Sequence, residues 1–165
     1  MNLIRSIPRT AALGIALVST SIFPGTAFAL DEQNTSRGAT LAGPGLAAHG
    51  YDVVSFFHGT PAVGSDKFAL AHSGATYRFT SQEDLDTFKA DPSKYEPAYG
   101  GYCAYGAALN KKFDGDPRYW KVVDGRLYLN LNADIQSKWS EDIGGNIKKA
   151  DGNWVKIKSV AVAKL

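Results

Sequence analysis

"RYWKVVDGRLYLN", residues 118–130, decides the fold class. Asp124-Gly125 separates two alternating apolar runs, and Asp-Gly tolerates the two left-handed residues of a type I′ turn. The stretch is predicted to be a β-hairpin with Trp120, Val122, Leu127 and Leu129 facing inward. A register error of one residue would exchange the two faces. Upstream, "KFALAHSGATYRFTS" (67–81) predicts another hairpin: Phe68, Leu70 and His72 alternate, Ser73-Gly74 turns the chain, and Tyr77 and Phe79 alternate again.

A helical signal follows each hairpin. Ser81 is a natural N-cap, Glu83 and Asp84 complement the first turn, Leu85 and Phe88 form the apolar stripe, and Pro92 ends it. "ADIQSKWSEDIGG" (133–145) spaces Ile135, Trp139 and Ile143 at helical intervals, with Gly144-Gly145 as the expected stop. "NIKKADGNWVKI" (146–157) predicts a short last helix weakened by Gly152, while "YDVVSFF" (51–57) is too short to choose between strand and helical turn. No internal repeat or low-complexity tract is evident. The expected class is α+β, a small single domain of β-hairpins with short helices packed on one face.

The ends of the chain read differently. Residues 1–29 have Arg5 and Arg9 without an acid, a short apolar run, and "AFA" before Leu30, the pattern of a secretory signal cleaved after Ala29. The arginines are not paired for a twin-arginine route, and no cysteine stands at the cleavage point to carry a lipid. Residues 30–48 read as a flexible leader, 49–158 as the folded domain and 159–165 as a tail expected to fray. Two of the 18 basic residues lie in the signal, so the remainder balances the 16 acids. That balance argues against nucleic acid and a stable membrane anchor, and the expected location is periplasmic or secreted.

Cys103 is the only cysteine, within "YGGYCAYGAALN" (99–110). No internal disulfide can form, and the only methionine, Met1, leaves with the signal. Gly100 and Gly101 break the chain and offer a helix start, so Cys103 falls in a first turn where N–H groups favour a thiolate. Lys111 and Lys112 are near enough in sequence to add positive charge. Tyr102 and Tyr105 are candidates to line a pocket or shield the sulfur. Against this stands the ordinary use of a free cysteine as a small buried hydrophobe. For a Cu or Zn ion the candidate ligands are Cys103, His49 and His72, although no metal-ligand spacing joins them. Asp52, beside Tyr51 in an apolar stretch, reads as a turn cap.

"GYDVVSFF", "GATYRFTSQEDLDTFKADPSKY", "GGYCAYG" and "WKVVDGRLYLN" together resemble YHS-domain proteins, in particular a small exported bacterial branch. The resemblance runs from about Gly50 to Ile157. Related short modules carry metal-binding cysteines beside heavy-metal transporters, and members of this branch can place selenocysteine at the position of Cys103. The resemblance therefore implies redox or metal chemistry at that position. Tyr77, Ser81 and Cys103 carry over. The cysteines that metal-type modules place in the "YDVVSF" stretch and at Thr80 have no counterpart, nor has the family's His between Tyr77 and Ser81.

Three readings are open. The first is a periplasmic thiol-redox module using Cys103, a thiol oxidoreductase that needs an external thiol or redox partner protein because it lacks a resolving cysteine. The second is a Cu- or Zn-binding module. The third is a non-catalytic interaction domain with Cys103 in the core.

Overall fold

The structure is a computed structural model that describes residues 32–35 and 45–165. The proposed signal lies outside these residues. Strands β1 (Ser65–His72) and β2 (Ala75–Phe79) pair antiparallel, as do β3 (Asp116–Val123) and β4 (Arg126–Asn130). The helices are α1 (Gln82–Ala90), α2 (Pro92–Tyr95), α3 (Ala104–Ala108), α4 (Ala133–Ser140) and α5 (Ile143–Ile157). This is the expected small α+β domain.

Both hairpin turns form as their residues require. Ser73 and Gly74 have φ of 49° and 83°, and Asp124 and Gly125 have φ of 49° and 74°, the paired left-handed geometry of a type I′ turn. Tyr77 and Phe79 of β2 enter a core with Val53, Val54, Phe56 and Phe88. Leu127 and Leu129 join that core from β4, with Trp120 and Val122 packed against it from β3. Tyr128 points the other way, into a second core with Trp139, Ala150 and the alanines of α3. Strand β4 is thus buried on both faces.

The chain also repeats itself, which the sequence reading did not detect. Strand β1 recurs as β3, β2 as β4, and α1 as α4, each 51 positions on. The hairpin registers recur with the same shift, including an irregularity between Ser65 and Ala69 and between Asp116 and Trp120. The N-caps correspond, Ser81 to Asn132 and Asp91 to Asp142. Each half also opens with three left-handed residues, Ala48-His49-Gly50 and Tyr99-Gly100-Gly101. The next residue's N–H closes each turn: Tyr51 donates to Ala48 and Tyr102 to Tyr99. Seven pairs keep their identity: Ala47/Ala98, Gly50/Gly101, Tyr51/Tyr102, Gly64/Gly115, Gly74/Gly125, Tyr77/Tyr128 and Asp91/Asp142. The rest have diverged too far for the repeat to stand out.

Other expectations change where tertiary contacts prevail. Gly144 and Gly145 do not stop a helix; they lie in the first turn of α5, where the Asp142 carboxylate accepts from Gly145 N at 2.9 Å. A Cβ on Gly145 would fall 2.0 Å from Asp142 Oδ2, so this cap needs glycine. Gly152 is accommodated within the same helix. The segment expected to be a free leader is docked over its four described residues: Asn34 N donates to Gly100 O at 2.8 Å and Asn34 Nδ2 to Gly101 O at 3.1 Å. The tail is tied too. Lys112, buried beneath the rings of Tyr102 and Trp154, donates to Lys158 O and Val160 O, and Lys111 donates to Leu165 O.

Candidate functional site

Cys103 follows the left-handed turn of the second half and caps the N-terminus of α3. Its N–H donates to Phe113 O at 2.9 Å, fixing the residue against the loop that leads into β3. The side chain is sealed, with 1% of the residue exposed. Gly106 N donates to Sγ at 3.4 Å, and the N–H groups of Leu131 and Tyr105 also face the sulfur. Burial raises the thiol above its ordinary pKa; these three donors pull it down without prevailing, and the nearby Asp114 carboxylate pushes it up further. The resting sulfur is therefore a protonated thiol, not the stabilised thiolate expected from a helix start. The lysines do not alter this, because Lys111 and Lys112 are committed to the C-terminal segment.

Asn130, at the end of β4, lies against the sulfur and is fully buried. Its Oδ1 accepts from Tyr105 N at 3.3 Å and from the thiol at 3.7 Å. With Oδ1 held by two donors, Nδ2 is the other end of the amide, and it has no hydrogen-bond partner among the described residues. The pocket around Sγ thus offers several donors to a neutral thiol, which is a weak acceptor.

The first half shows what fills the same place there. Asp52 stands 51 positions before Cys103, is fully buried, and its N–H donates to Ala62 O at 2.9 Å as that of Cys103 does to Phe113 O. Val54 N and Ser55 N donate to Asp52 Oδ1 at 2.9 and 3.4 Å, while Thr80 N and Thr80 Oγ1 reach Oδ2 at 2.8 and 3.0 Å. Their counterparts are Tyr105, Gly106 and Leu131, the three residues whose N–H groups face the sulfur. Cys103 is the counterpart of Asp52. No model of a known protein family, no curated protein and no solved structure matches the chain, so this internal comparison is the one that informs the site.

The partners of the two side chains differ. Thr80 becomes Leu131 and Asp84 becomes Ile135, so a polar surround becomes apolar. Thr80 Oγ1 also reaches Asp84 Oδ2 at 2.7 Å, linking the two acids of the first half. Burial holds Asp52 above the ordinary carboxylate range despite its donors. Asp84 lies below that range because hydrogen bonds from Thr80, Asp52 and Ser81, with His58 nearby, outweigh its burial.

The other predicted site residues are dispersed. His49 Nε2 lies 3.0 Å from Asp114 Oδ1, which also accepts from Asn34 Nδ2 at 2.7 Å. His72 lies on the first hairpin, 2.7 Å from Glu96 Oε1 and edge-on to Tyr77 and Phe88. No group of three or more His, Cys, Asp or Glu side chains suited to a metal forms among the described residues. A Cu or Zn ion therefore has no three-ligand set at Cys103, His49 and His72. Tyr102 packs on Trp154 and donates to Gln33 O at 3.4 Å, and Tyr105 packs into the second core. Gly100 and Gly101 form the left-handed turn, where a Cβ on Gly100 would meet Glu32 O at 2.1 Å.

Asn130, Asp114 and Asn34 were not singled out as site partners from the sequence. The available signal was "GYD" at 50–52 and "GYC" at 101–103, two matching approaches to unlike side chains. No helix among the described residues is long and apolar enough to cross a membrane.

Proposed function

We propose that this chain is an exported, YHS-like thiol-redox module in which Cys103 changes oxidation state. The observation that supports the reading is the surplus of donors around Sγ, in the place where the other half of the fold holds a carboxylate. A neutral thiol satisfies such donors poorly, whereas an oxygen on the sulfur is a strong acceptor. Burial and protonation keep the thiol idle in an oxidising compartment, so the oxidant must be small. A peroxide is reduced as Cys103–SH plus ROOH gives Cys103–SOH plus ROH. An external thiol then condenses with the sulfenic acid, releasing water and forming a mixed disulfide. A second external thiol displaces Cys103–SH and leaves as the external disulfide.

Folded protein treated with hydrogen peroxide and glutathione tests the reading. Mass spectrometry should find glutathione on Cys103, removable by excess thiol. A sulfur that stays a thiol under conditions where the protein remains folded would sink the idea.

One observation favours a second reading. Asp52 holds its turn by capping alone, and Cys103 caps α3 with the same backbone. A purely structural Cys103 predicts that Cys103→Ala lowers stability and alters no reaction with peroxide.

A further inference from the structure

The correspondence between Asp52 and Cys103 carries the redox reading one step further. Asp52 is a Cβ bearing a carbon with two oxygens. A cysteine oxidised to the sulfinate is a Cβ bearing a sulfur with two oxygens, with the same connectivity and the same charge. In the first half, two backbone donors serve one carboxylate oxygen; a backbone N–H and the Thr80 hydroxyl serve the other. In the second half the three backbone donors are present as Tyr105, Gly106 and Leu131. Leu131 has no hydroxyl to offer. Asn130 stands where the first half has Phe79, and its buried Nδ2 lacks an acceptor. The second half therefore has a donor set of the same kind and no oxyanion to fill it.

We propose that the donor pocket formed by Tyr105, Gly106, Leu131 and Asn130 is a binding site for the Cys103 sulfinate, and that peroxide oxidation to this state stabilises the fold. The chemistry balances in two steps. Cys103–SH plus hydrogen peroxide gives Cys103–SOH plus water; Cys103–SOH plus hydrogen peroxide gives Cys103–SO2⁻, a proton and water. Each step breaks one O–O bond, reduces one peroxide and adds one oxygen to the sulfur. Oxygenation of a buried thiol normally disrupts packing, so a gain in stability distinguishes this site from accidental damage.

The inference rests on the redox reading, and two arms separate their failures. In the first, folded protein is treated with excess hydrogen peroxide without added thiol, mapped by mass spectrometry and melted. Cys103 should carry two oxygens, and the melting temperature should rise by about 4 °C. If Cys103 gains no oxygen, the redox reading fails and the inference with it. If oxidation stops at a form reversed by thiol, or the sulfinate protein melts lower than the parent, the redox reading stands and the inference is overturned. In the second arm, Cys103→Asp tests the donor pocket without any oxidant. It should fold and melt above Cys103→Ala at neutral pH; a Cys103→Asp protein that melts below Cys103→Ala or fails to fold overturns the inference alone.

Discussion

The two halves build the same turn, hairpin and helix, and place different atoms at its centre. In the first, a carboxylate gathers the N–H groups of Val54, Ser55 and Thr80 and the Thr80 hydroxyl. In the second, a thiol faces the corresponding N–H groups, with an apolar Leu131 in place of Thr80 and a buried amide in place of Phe79. The backbone therefore dictates where donors point, and the side chain decides how well they are used. Asp52 uses them fully at the cost of desolvation. Cys103 avoids that cost and leaves donors weakly matched.

The largest effect expected from this contrast is a difference in what each side chain contributes to stability. Asp52→Ala leaves buried donors without an acceptor and should cost about 3 kcal/mol or more. Cys103→Ala removes a small side chain and a weak acceptor and should cost about 1–2 kcal/mol. Urea unfolding of both variants measures the gap, and equal losses would break the comparison.

A smaller effect is expected at the left-handed turns. Gly100→Ala forces a Cβ against Glu32 O at φ +60°, which should cost about 1–2 kcal/mol and release residues 32–35. His49 is its counterpart and already holds φ 51° with a side chain, so His49→Ala should not release them. Hydrogen exchange at the Asn34 N–H separates the two outcomes.

These turns also show how far the sequence was legible. Hairpin signals such as Asp124-Gly125 and the Ser81 cap act within a few residues, and their reading survives intact. The docking of Asn34 on Gly100 and Gly101 joins segments separated by about 65 positions, and no local pattern announces it. Gly144-Gly145 reads as a helix stop until Asp142 is seen to cap the helix they begin. At the candidate site, Cys103 was legible as an isolated sulfur. The donor pocket was not, because its members come from α3, β4 and the residue after β4, and because Asp52 and Cys103 correspond only through the backbone.

The smallest effect is a dependence on pH. The folded thiol titrates above its unfolded value, so the folded state retains its proton where the unfolded state releases it. The contribution of Cys103 to stability is fully present below the unfolded thiol pKa and is lost as pH rises through the folded one. The advantage of the parent over Cys103→Ala should thus be constant near neutrality and shrink in alkaline solution. A gap that widens with pH would mean that the N–H donors outweigh burial and hold a thiolate.

The claim that the second half keeps a carboxylate-type donor pocket around Cys103 is tested most directly by the thermal unfolding of Cys103→Asp beside Cys103→Asn at neutral pH. The two side chains match in size and shape and differ in charge and in one acceptor exchanged for a donor. If Tyr105, Gly106, Leu131 and Asn130 all present donors, Asp satisfies them and Asn turns its own amide into that crowd, so the Asp variant melts higher. A Cys103→Asn protein that melts at or above Cys103→Asp would contradict the account.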